Sequence, residues 1–185
     1  MTVRLPIVVD EHVTLVLADD SVAEAYRDLV LDDLDHLRPW EDLARPGVTI
    51  DDVRAYLTPG LTGWADGTTV PTAVVLDGAV VGALAARCTP ASAKAEVGYW
   101  LASSAGGRGV MTRAVRALVA ELFADGVHRV EIRTAADNQP SRAVAERVGF
   151  TLEGTLREAY PIDGVRHDLC VYARLASDPV SRSGG

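Results

Sequence analysis

The sequence contains few cysteines, no long apolar run and no excess of basic residues. Its two cysteines, Cys88 and Cys170, are far apart and lack the spacing of metal ligands. We therefore expect two buried, reduced thiols, no metal site and a cytoplasmic protein. No apolar run is long enough to span a membrane, and acidic residues closely follow the short apolar patch at the N-terminus. The sequence thus predicts neither a membrane protein nor a signal peptide.

The acidic residues are concentrated in the first third of the chain. The net charge is −8; residues 1–60 contain 13 acidic and 5 basic residues, and residues 61–185 contain 13 of each. Because an anionic surface repels nucleic acid, we do not expect a nucleic-acid partner. Two interpretations of the acidic third remain open. It either attracts a cationic partner, such as an amine, or forms an ordinary solvated helix face.

The chain of 185 residues is long enough for one domain with its own core and too short for two ordinary domains. We place this domain at residues 1–176 and expect a disordered tail at 177–185. The hydrophobic periodicity predicts these elements in chain order: a strand at 12–18; a helix at 19–37, capped by Asp20 or Ser21; a helix from Thr49; a loop at 59–69; strands at 72–76, 79–88 and 95–102; a helix at 110–126; a strand at 129–134; a helix at 139–149; and strands at 150–154 and 168–175. This order indicates a mixed α/β (α+β) fold.

A glycine-rich stretch, "SSAGGRGVMTRAV" at 103–115, lies between a predicted strand and a predicted helix. A helix N-terminus exposes unpaired N–H groups, and glycines let several of them converge on one anion. Arg108 adds a full positive charge. Residues 106–112 therefore predict a phosphate cradle, with a flexible loop and a helix cap as the alternative. The stretch matches neither the P-loop nor the Rossmann glycine pattern.

The stretch "AEVGYWLASSAGGRGVMTRAV…HRVEIRTAADNQPSRAVAERVGFTLEGTLRE" resembles the acetyl-CoA core of the GCN5-related N-acetyltransferases (GNAT). Within them it is most similar to the RimJ/RimL group, which acetylates N-terminal amines of ribosomal proteins. The resemblance is strong over 94–175 and weaker over 12–60, where "HLRPWEDL" is similar to a tryptophan-containing helix of the group. It implies a mixed, mostly antiparallel sheet of about seven strands flanked by helices, with a splayed strand pair that holds CoA.

The resemblance implies acetyl-CoA as the cosubstrate. Gly106 and Met111 stand where the family motif has Gln/Arg and Gly/Ala, and Arg113 replaces a glutamate, which adds positive charge near the phosphates. The residues implied in CoA binding are Gly107, Arg108, Gly109, Val110, Met111 and Thr112 at the diphosphate, Trp100, Leu101 and Ala102 along the pantetheine arm, and Asn138 and Ser141 near the thioester.

The implied reaction is direct attack of an amine on the acetyl thioester in a ternary complex. Glu96 is the candidate base, because a carboxylate at this strand position acts as base in some family members; the alternative is a surface glutamate paired with an arginine across the sheet. Ala145 occupies the position of the family's usual tyrosine acid. Ser141, in an N-x-x-S motif with Asn138, is therefore the candidate donor to the thiolate, with helix capping as the alternative role of both residues.

Two functions remain open on the sequence. The first is an acetyl-CoA-dependent N-acetyltransferase that acts on a protein N-terminal amine or a small-molecule amine. The second is a catalytically degenerate module that binds CoA or acyl-CoA, which the departures at Gly106, Met111 and Ala145 keep open. Trp40 and Trp64 fit either an acceptor pocket or the core. We expect a monomer or a homodimer.

Overall fold

The computed structural model describes residues 3–162 and 164–179. In that part of the chain, no helix has both the length and the apolar character needed to cross a membrane. The predicted tail is described only as far as residue 179, and the Asp178 N–H donates to the Leu175 carbonyl at 3.0 Å; residues 180–185 lie outside the described residues.

The elements are β1 (Ile7–Val8), β2 (Val13–Leu17), α1 (Ala23–Asp32), α2 (Leu34–Leu37), α3 (Ile50–Asp66), β3 (Thr69–Leu76), β4 (Ala79–Thr89), β5 (Lys94–Leu101), α4 (Val110–Ala124), β6 (Arg129–Ala135), α5 (Gln139–Val148), β7 (Thr151–Ile162) and β8 (Val165–Leu175).

The strands form one mixed sheet in the order β1-β2-β3-β4-β5-β6-β8-β7. Among the described residues, β5 and β6 are the one parallel pair, and every other neighbouring pair is antiparallel. The predicted mixed, mostly antiparallel architecture is confirmed. The expected number of about seven strands is corrected to eight, because β1 adds a two-residue edge strand against β2.

Helices cover both faces of the sheet, and each face has its own apolar core. On one face Tyr26 of α1 and Val53 of α3 pack with Trp100 of β5. On the other face Leu118 of α4 and Val148 of α5 belong to a larger core. Alternate side chains of β5 thus point to opposite faces, as the strand period requires.

The parallel pair is joined over only part of its length. Within the described residues the ladder consists of four pairs, Lys94–Val97 of β5 with Arg129–Ile132 of β6. Lys94 Nζ crosses this ladder to the buried Glu131 carboxylate at 2.8 Å. Burial alone would raise the pKa of Glu131, but hydrogen bonds from Lys94 and Arg129 lower it to about 2. The remainder of β5 stays paired with β4 and diverges from β6, so the predicted splayed pair is confirmed.

A bulge and a glycine hold β4 close to β5 beside this divergence. The register of β3 with β4 shifts so that Val74 faces Gly82 and Val75 faces Val80. A Cβ at Gly82 would lie 2.3 Å from the Trp100 carbonyl oxygen, so this approach requires glycine. Because a bulge bends a strand and increases its twist, this irregularity favours the departure of β5 from β6.

The predicted loop at 59–69 is wrong, since α3 continues through Pro59 to Asp66. Gly60 serves packing rather than a turn, because a Cβ there would lie 3.1 Å from Cβ of Pro71 on β3. The helix ends at Gly67, whose φ of 76° is left-handed. Packing of α3 on the sheet therefore outweighs the local cost of Pro59.

Two other predicted segments differ from the structure. The single helix at 19–37 is divided at Asp33 into α1 and α2. The Asp33 carboxylate accepts hydrogen bonds from Ser103 N–H and Oγ, at 2.6 and 2.8 Å, which joins this break to the glycine-rich stretch. Strands β7 and β8 extend well beyond the predicted 150–154 and 168–175 and form a long hairpin.

We expect Thr49→Ala to lower the free energy of unfolding by about 1 kcal/mol. The Asp52 N–H donates to Thr49 Oγ1 at 3.2 Å, and the Thr49 N–H donates to the Asp52 carboxylate at 2.9 Å, which closes a capping box on α3. Urea unfolding at pH 7 measures the change. Thr49→Ser keeps the hydroxyl and should retain wild-type stability; an equal loss in both variants would contradict the capping role.

Candidate active site

A cleft of about 440 Å³ opens where β5 leaves β6. Both faces of the sheet contribute to it, through residues between Ala18 and Tyr160. Its polar lining includes groups from the acidic first third as well as groups that the sequence assigns to CoA chemistry. Among the lining residues are Trp40, Glu41, Tyr56, Glu96, Tyr99 and Ser141.

The glycine-rich stretch has the backbone geometry of an anion cradle. Gly107 and Gly109 have φ of 71° and 70°, which glycine adopts readily and other residues rarely do. Gly109 is the N-cap of α4 and, being glycine, has no side chain to occupy the first N–H groups of the helix. The side chains of Val110, Met111 and Thr112 are buried, so this turn offers its backbone to a ligand. Met111 at the family's Gly/Ala position packs into the core instead of obstructing the cradle.

The two arginines of this stretch have different surroundings. The Arg108 side chain is 57% exposed and lies 3.9 Å from the Asp77 carboxylate, so it can turn toward an anion. Arg113 donates through Nε to Asp10 at 2.7 Å and through Nη1 to the Arg108 carbonyl at 2.9 Å. The interpretation of Arg113 as added charge near the phosphates is therefore corrected: its charge is paired with Asp10, and its guanidinium holds the loop.

The backbone of β5 limits where an added strand can pair. Ala102 N–H donates to the Val81 carbonyl at 2.9 Å, and the Ala102 carbonyl accepts from Ala105 N–H at 3.0 Å. Antiparallel alternation directs the polar groups of Trp100 toward β4 as well, whereas those of Leu101 point into the gap. Of the three residues predicted to pair with pantetheine, Leu101 is the one whose backbone groups point into the gap, because those of Trp100 and Ala102 are engaged within the protein. The pairing itself stays a prediction.

The N-x-x-S motif lies at the start of α5, on the rim of the cleft. Asn138 is the N-cap, and its side-chain oxygen accepts from Ser141 N–H at 3.1 Å, so the capping role is realised. Its side-chain nitrogen is the part that can face a ligand. Ser141 Oγ donates to Tyr99 Oη at 3.2 Å, and Tyr99 Oη donates to the Ser141 carbonyl at 3.0 Å. Burial raises the pKa of Tyr99 to about 12, so the hydroxyl stays protonated and holds Ser141 in place. Sequence reasoning missed Tyr99, because only the docking of α5 brings it to Ser141.

Glu96 lies in the cleft but is paired with basic side chains. Arg87 Nη2 donates to its carboxylate at 2.7 Å from the adjacent strand, and Arg133 Nε lies 3.7 Å away. This geometry matches the alternative reading of a glutamate paired across the sheet. A catalytic role for Glu96 stays a prediction.

A second carboxylate, Glu41, was missed by sequence reasoning. It follows Trp40 in the turn after α2 and is half-buried in the cleft. Burial raises the pKa of Glu41 to about 7. The one signal in the sequence was its place in "HLRPWEDL", but the sequence alone did not reveal that this acid is turned inward. Trp40 beside it also lines the cleft, whereas Trp64 packs against the larger core.

Among the described residues, the two cysteines form no disulfide and the acidic side chains form no metal site. Cys170 is buried, Cys88 is half-buried, and both are free thiols. Over residues 3–162 and 164–179, no three or more His, Cys, Asp or Glu side chains are grouped so that they could hold a metal ion.

Comparison with known proteins assigns the family. A family model described as "Acetyltransferase (GNAT) domain" matches residues 14–151. The Bacillus subtilis (strain 168) protein named "Putative ribosomal N-acetyltransferase YdaF" is 32% identical over 170 residues, which cover 90% of this chain and 93% of that protein. The chain therefore belongs to the GNAT acetyltransferase family.

Solved structures agree with this assignment. A RimL structure, described as ribosomal L7/L12 alpha-N-protein acetyltransferase in complex with coenzyme A, has a TM-score of 0.87 and 30% identity, covering 92% of this chain and 97% of that one. Mycobacterium smegmatis RimJ in complex with CoA-disulfide has a TM-score of 0.80 and 31% identity, covering 89% and 82%. The chain has the GNAT fold, and the class of enzyme is an acetyl-CoA-dependent N-acetyltransferase.

We expect Glu41→Gln to stabilise the protein at pH 8 by about 1–3 kcal/mol and to leave its stability nearly unchanged at pH 4. Burial raises the folded-state pKa of Glu41 to about 7, above the ordinary value of 4.5 for a glutamate. Between these two values the unfolded chain releases a proton that the folded protein keeps, so the wild type loses stability as pH rises from about 4.5 to about 7, and the loss is complete above pH 7. Thermal unfolding at both pH values measures the difference; an equal Tm for the two proteins at pH 8 would show that Glu41 ionises freely.

Proposed function

We propose that this enzyme transfers the acetyl group of acetyl-CoA to the N-terminal amine of a protein, with ribosomal proteins as the acceptor class. The observation that carries the proposal is one cleft that joins the glycine cradle's side of β5 to an acidic, aromatic pocket on the other side. Relatives with the same fold support the acceptor class, since the RimL structure is described as an L7/L12 alpha-N-protein acetyltransferase. The proposal also places the protein in the cytoplasm, where ribosomal proteins reside and free thiols persist.

The cradle explains how CoA would be held. Its diphosphate would accept hydrogen bonds from the N–H groups between Gly107 and Thr112, where the dipole of α4 also favours negative charge. Arg108 would exchange its long contact with Asp77 for a phosphate. The pantetheine arm would pair with Leu101 in the gap between β5 and β6, as an added strand does.

Acetyl transfer needs three groups around the thioester. The Leu101 N–H, directed into the gap, would stabilise the oxyanion that forms when the amine attacks the carbonyl carbon. Ser141 Oγ would turn its hydrogen from Tyr99 to the departing thiolate and give it the proton, while Tyr99 Oη keeps its hydrogen bond to the Ser141 carbonyl. A proton acceptor for the incoming ammonium must also line the cleft, where both Glu41 and Glu96 are found.

The first test is thiol release from acetyl-CoA with peptides that begin with Ser, Ala or Met. We expect release with these peptides and a fall of about 10²-fold in kcat for Ser141→Ala, because the thiolate then lacks its donor. Ser92→Ala, which removes an exposed serine distant from the cleft, is the matched control and should retain activity.

Other acceptors in the same assay would redirect the proposal. Release only with polyamines, aminoglycosides or free amino acids would replace the protein acceptor by a small amine. Tight CoA binding by calorimetry without release from any acceptor would favour the degenerate CoA-binding module.

A second test concerns the loop that carries the cradle. We expect Arg113→Lys to raise the Kd for CoA about 2- to 10-fold, the equivalent of one lost hydrogen bond, although the charge is kept. Lysine cannot span Asp10 and the Arg108 carbonyl as the guanidinium does. Arg116→Lys on the same helix is the control. Calorimetry measures both; wild-type affinity in Arg113→Lys would mean that only the charge matters.

A further inference from the structure

The acceptor side of the cleft contains a carboxylate, Glu41, that forms no ion pair with any of the described residues. It has one hydrogen bond among them, a long one of 3.4 Å from Leu43 N–H, and the charge that acts on it is that of Asp42. A half-buried carboxylate in this state is poorly satisfied. A positively charged ligand group would satisfy it.

Aromatic side chains from three elements surround this carboxylate. Tyr26 of α1, Tyr56 of α3 and Tyr160 of β7 line the same cleft, and each interacts electrostatically with Glu41. Trp100 joins them, with Nε1 donating to Tyr56 Oη at 3.3 Å and its ring packed edge-on to Tyr26 at 5.0 Å. Aromatic faces attract cations, so this wall and Glu41 favour the same kind of group.

The hydroxyl of Tyr26 is a second, independent sign of a ligand. Tyr26 is fully buried, lines the cleft, and its Oη finds no hydrogen-bond partner among the described residues. Leaving such a group unpaired costs about 1–3 kcal/mol. An ammonium between Glu41 and the tyrosines would supply the missing donor.

The other carboxylate in the cleft is less suited to this role. Glu96 already accepts from Arg87 at 2.7 Å and lies 3.7 Å from Arg133. These two guanidinium groups repel an incoming ammonium. Among the described residues, no guanidinium group is paired with Glu41. The turn that carries it also belongs to the acidic first third of the chain.

We propose that Glu41 binds the ammonium group of the acceptor and accepts its proton before acetyl transfer. The inference rests on the proposed function and names the base of the same site. It gives a site for the proton that every primary amine near neutral pH must lose. It also explains why a carboxylate is turned into an aromatic pocket instead of toward solvent.

The proton and electron balance of the step is complete. One ammonium proton passes to the Glu41 carboxylate and later to solvent, and the freed nitrogen lone pair forms the N–C bond. The C–S bond then breaks, and its electron pair stays on sulfur. A second proton leaves nitrogen as the adduct collapses and replaces the one that Ser141 gives to the thiolate.

The pH dependence follows from the groups that face Glu41. These are Tyr26, Tyr56 and Tyr160, whose raised pKa values keep them protonated near neutral pH, and the carboxyl group of Asp42. His167 lies beyond Trp40, at 6.0 Å between ring centroids. Glu41 must be ionised to accept the proton. The kcat of the wild type should therefore fall as pH is lowered through about 7.

The experiment measures kcat from pH 5.5 to 9 with a saturating N-terminal peptide and saturating acetyl-CoA. We expect Glu41→Gln to lose about 10²-fold in kcat and to lose the fall on the acidic side, while the Kd for CoA stays at the wild-type value. Glu41→Asp, which keeps a carboxylate, should recover part of the rate and an acidic fall. Glu24→Gln, an exposed glutamate of α1, is the matched control.

Glu96→Gln decides between the two carboxylates. The kcat of Glu96→Gln should still fall as pH is lowered through about 7, as in the wild type, whatever the effect of the substitution on the maximal rate. Two results would overturn the inference while leaving the proposed function intact. One is a kcat of Glu96→Gln that no longer falls as pH is lowered. The other is a kcat of Glu41→Gln that still falls and stays within about threefold of the wild type. If the wild type turns over no acceptor, both fail; if only small amines react, the proposed acceptor fails and the Glu41 comparison is made with those amines.

Discussion

The whole site depends on the short ladder between β5 and β6. Four residue pairs join these parallel strands, and the ladder ends at Val97 and Ile132. Beyond that point β5 remains paired with β4, so its other edge offers unpaired backbone groups to the gap. A fully paired sheet would have no such gap and no free edge for a ligand strand. The bulge in β4 and Gly82 are therefore parts of the site, although neither contacts a ligand.

Two different electrostatic environments lie on the two sides of β5. On the side of α4, backbone N–H groups and Arg108 provide positive potential suited to a diphosphate. On the side of α1 and α3, Glu41 and a group of tyrosines line the cleft and suit a positively charged group. In the proposed reaction, two reactants of opposite charge would thus be kept apart until their reactive ends meet beside Leu101 and Ser141.

The sequence predicts well what local chemistry decides. The starts of α4 and α5 depend on residues close together in the chain, and both helices begin at the predicted residues, 110 and 139. Asn138 takes the capping role that the sequence left as the alternative. The extension of α3 through Pro59 could not be predicted, because it depends on packing against β3. Glu41 and Tyr26 could not be recognised for the same kind of reason: they meet only after the helices dock on the sheet, and only burial distinguishes Glu41 from the other acids near it.

The alternation of β5 has a consequence for how such enzymes can diverge. Side chains on one face of this strand meet the elements that carry the cofactor, and Trp100 on the other face meets the elements that form the acceptor pocket. The acceptor pocket is built largely from the first 66 residues, whereas the cradle lies after residue 102. Substitutions at Glu41, Tyr26 or Tyr56 can thus change the proposed acceptor without touching the cradle, as long as Asp10 and Asp33 keep their hydrogen bonds to Arg113 and Ser103. One eight-residue strand separates the two binding regions of the enzyme.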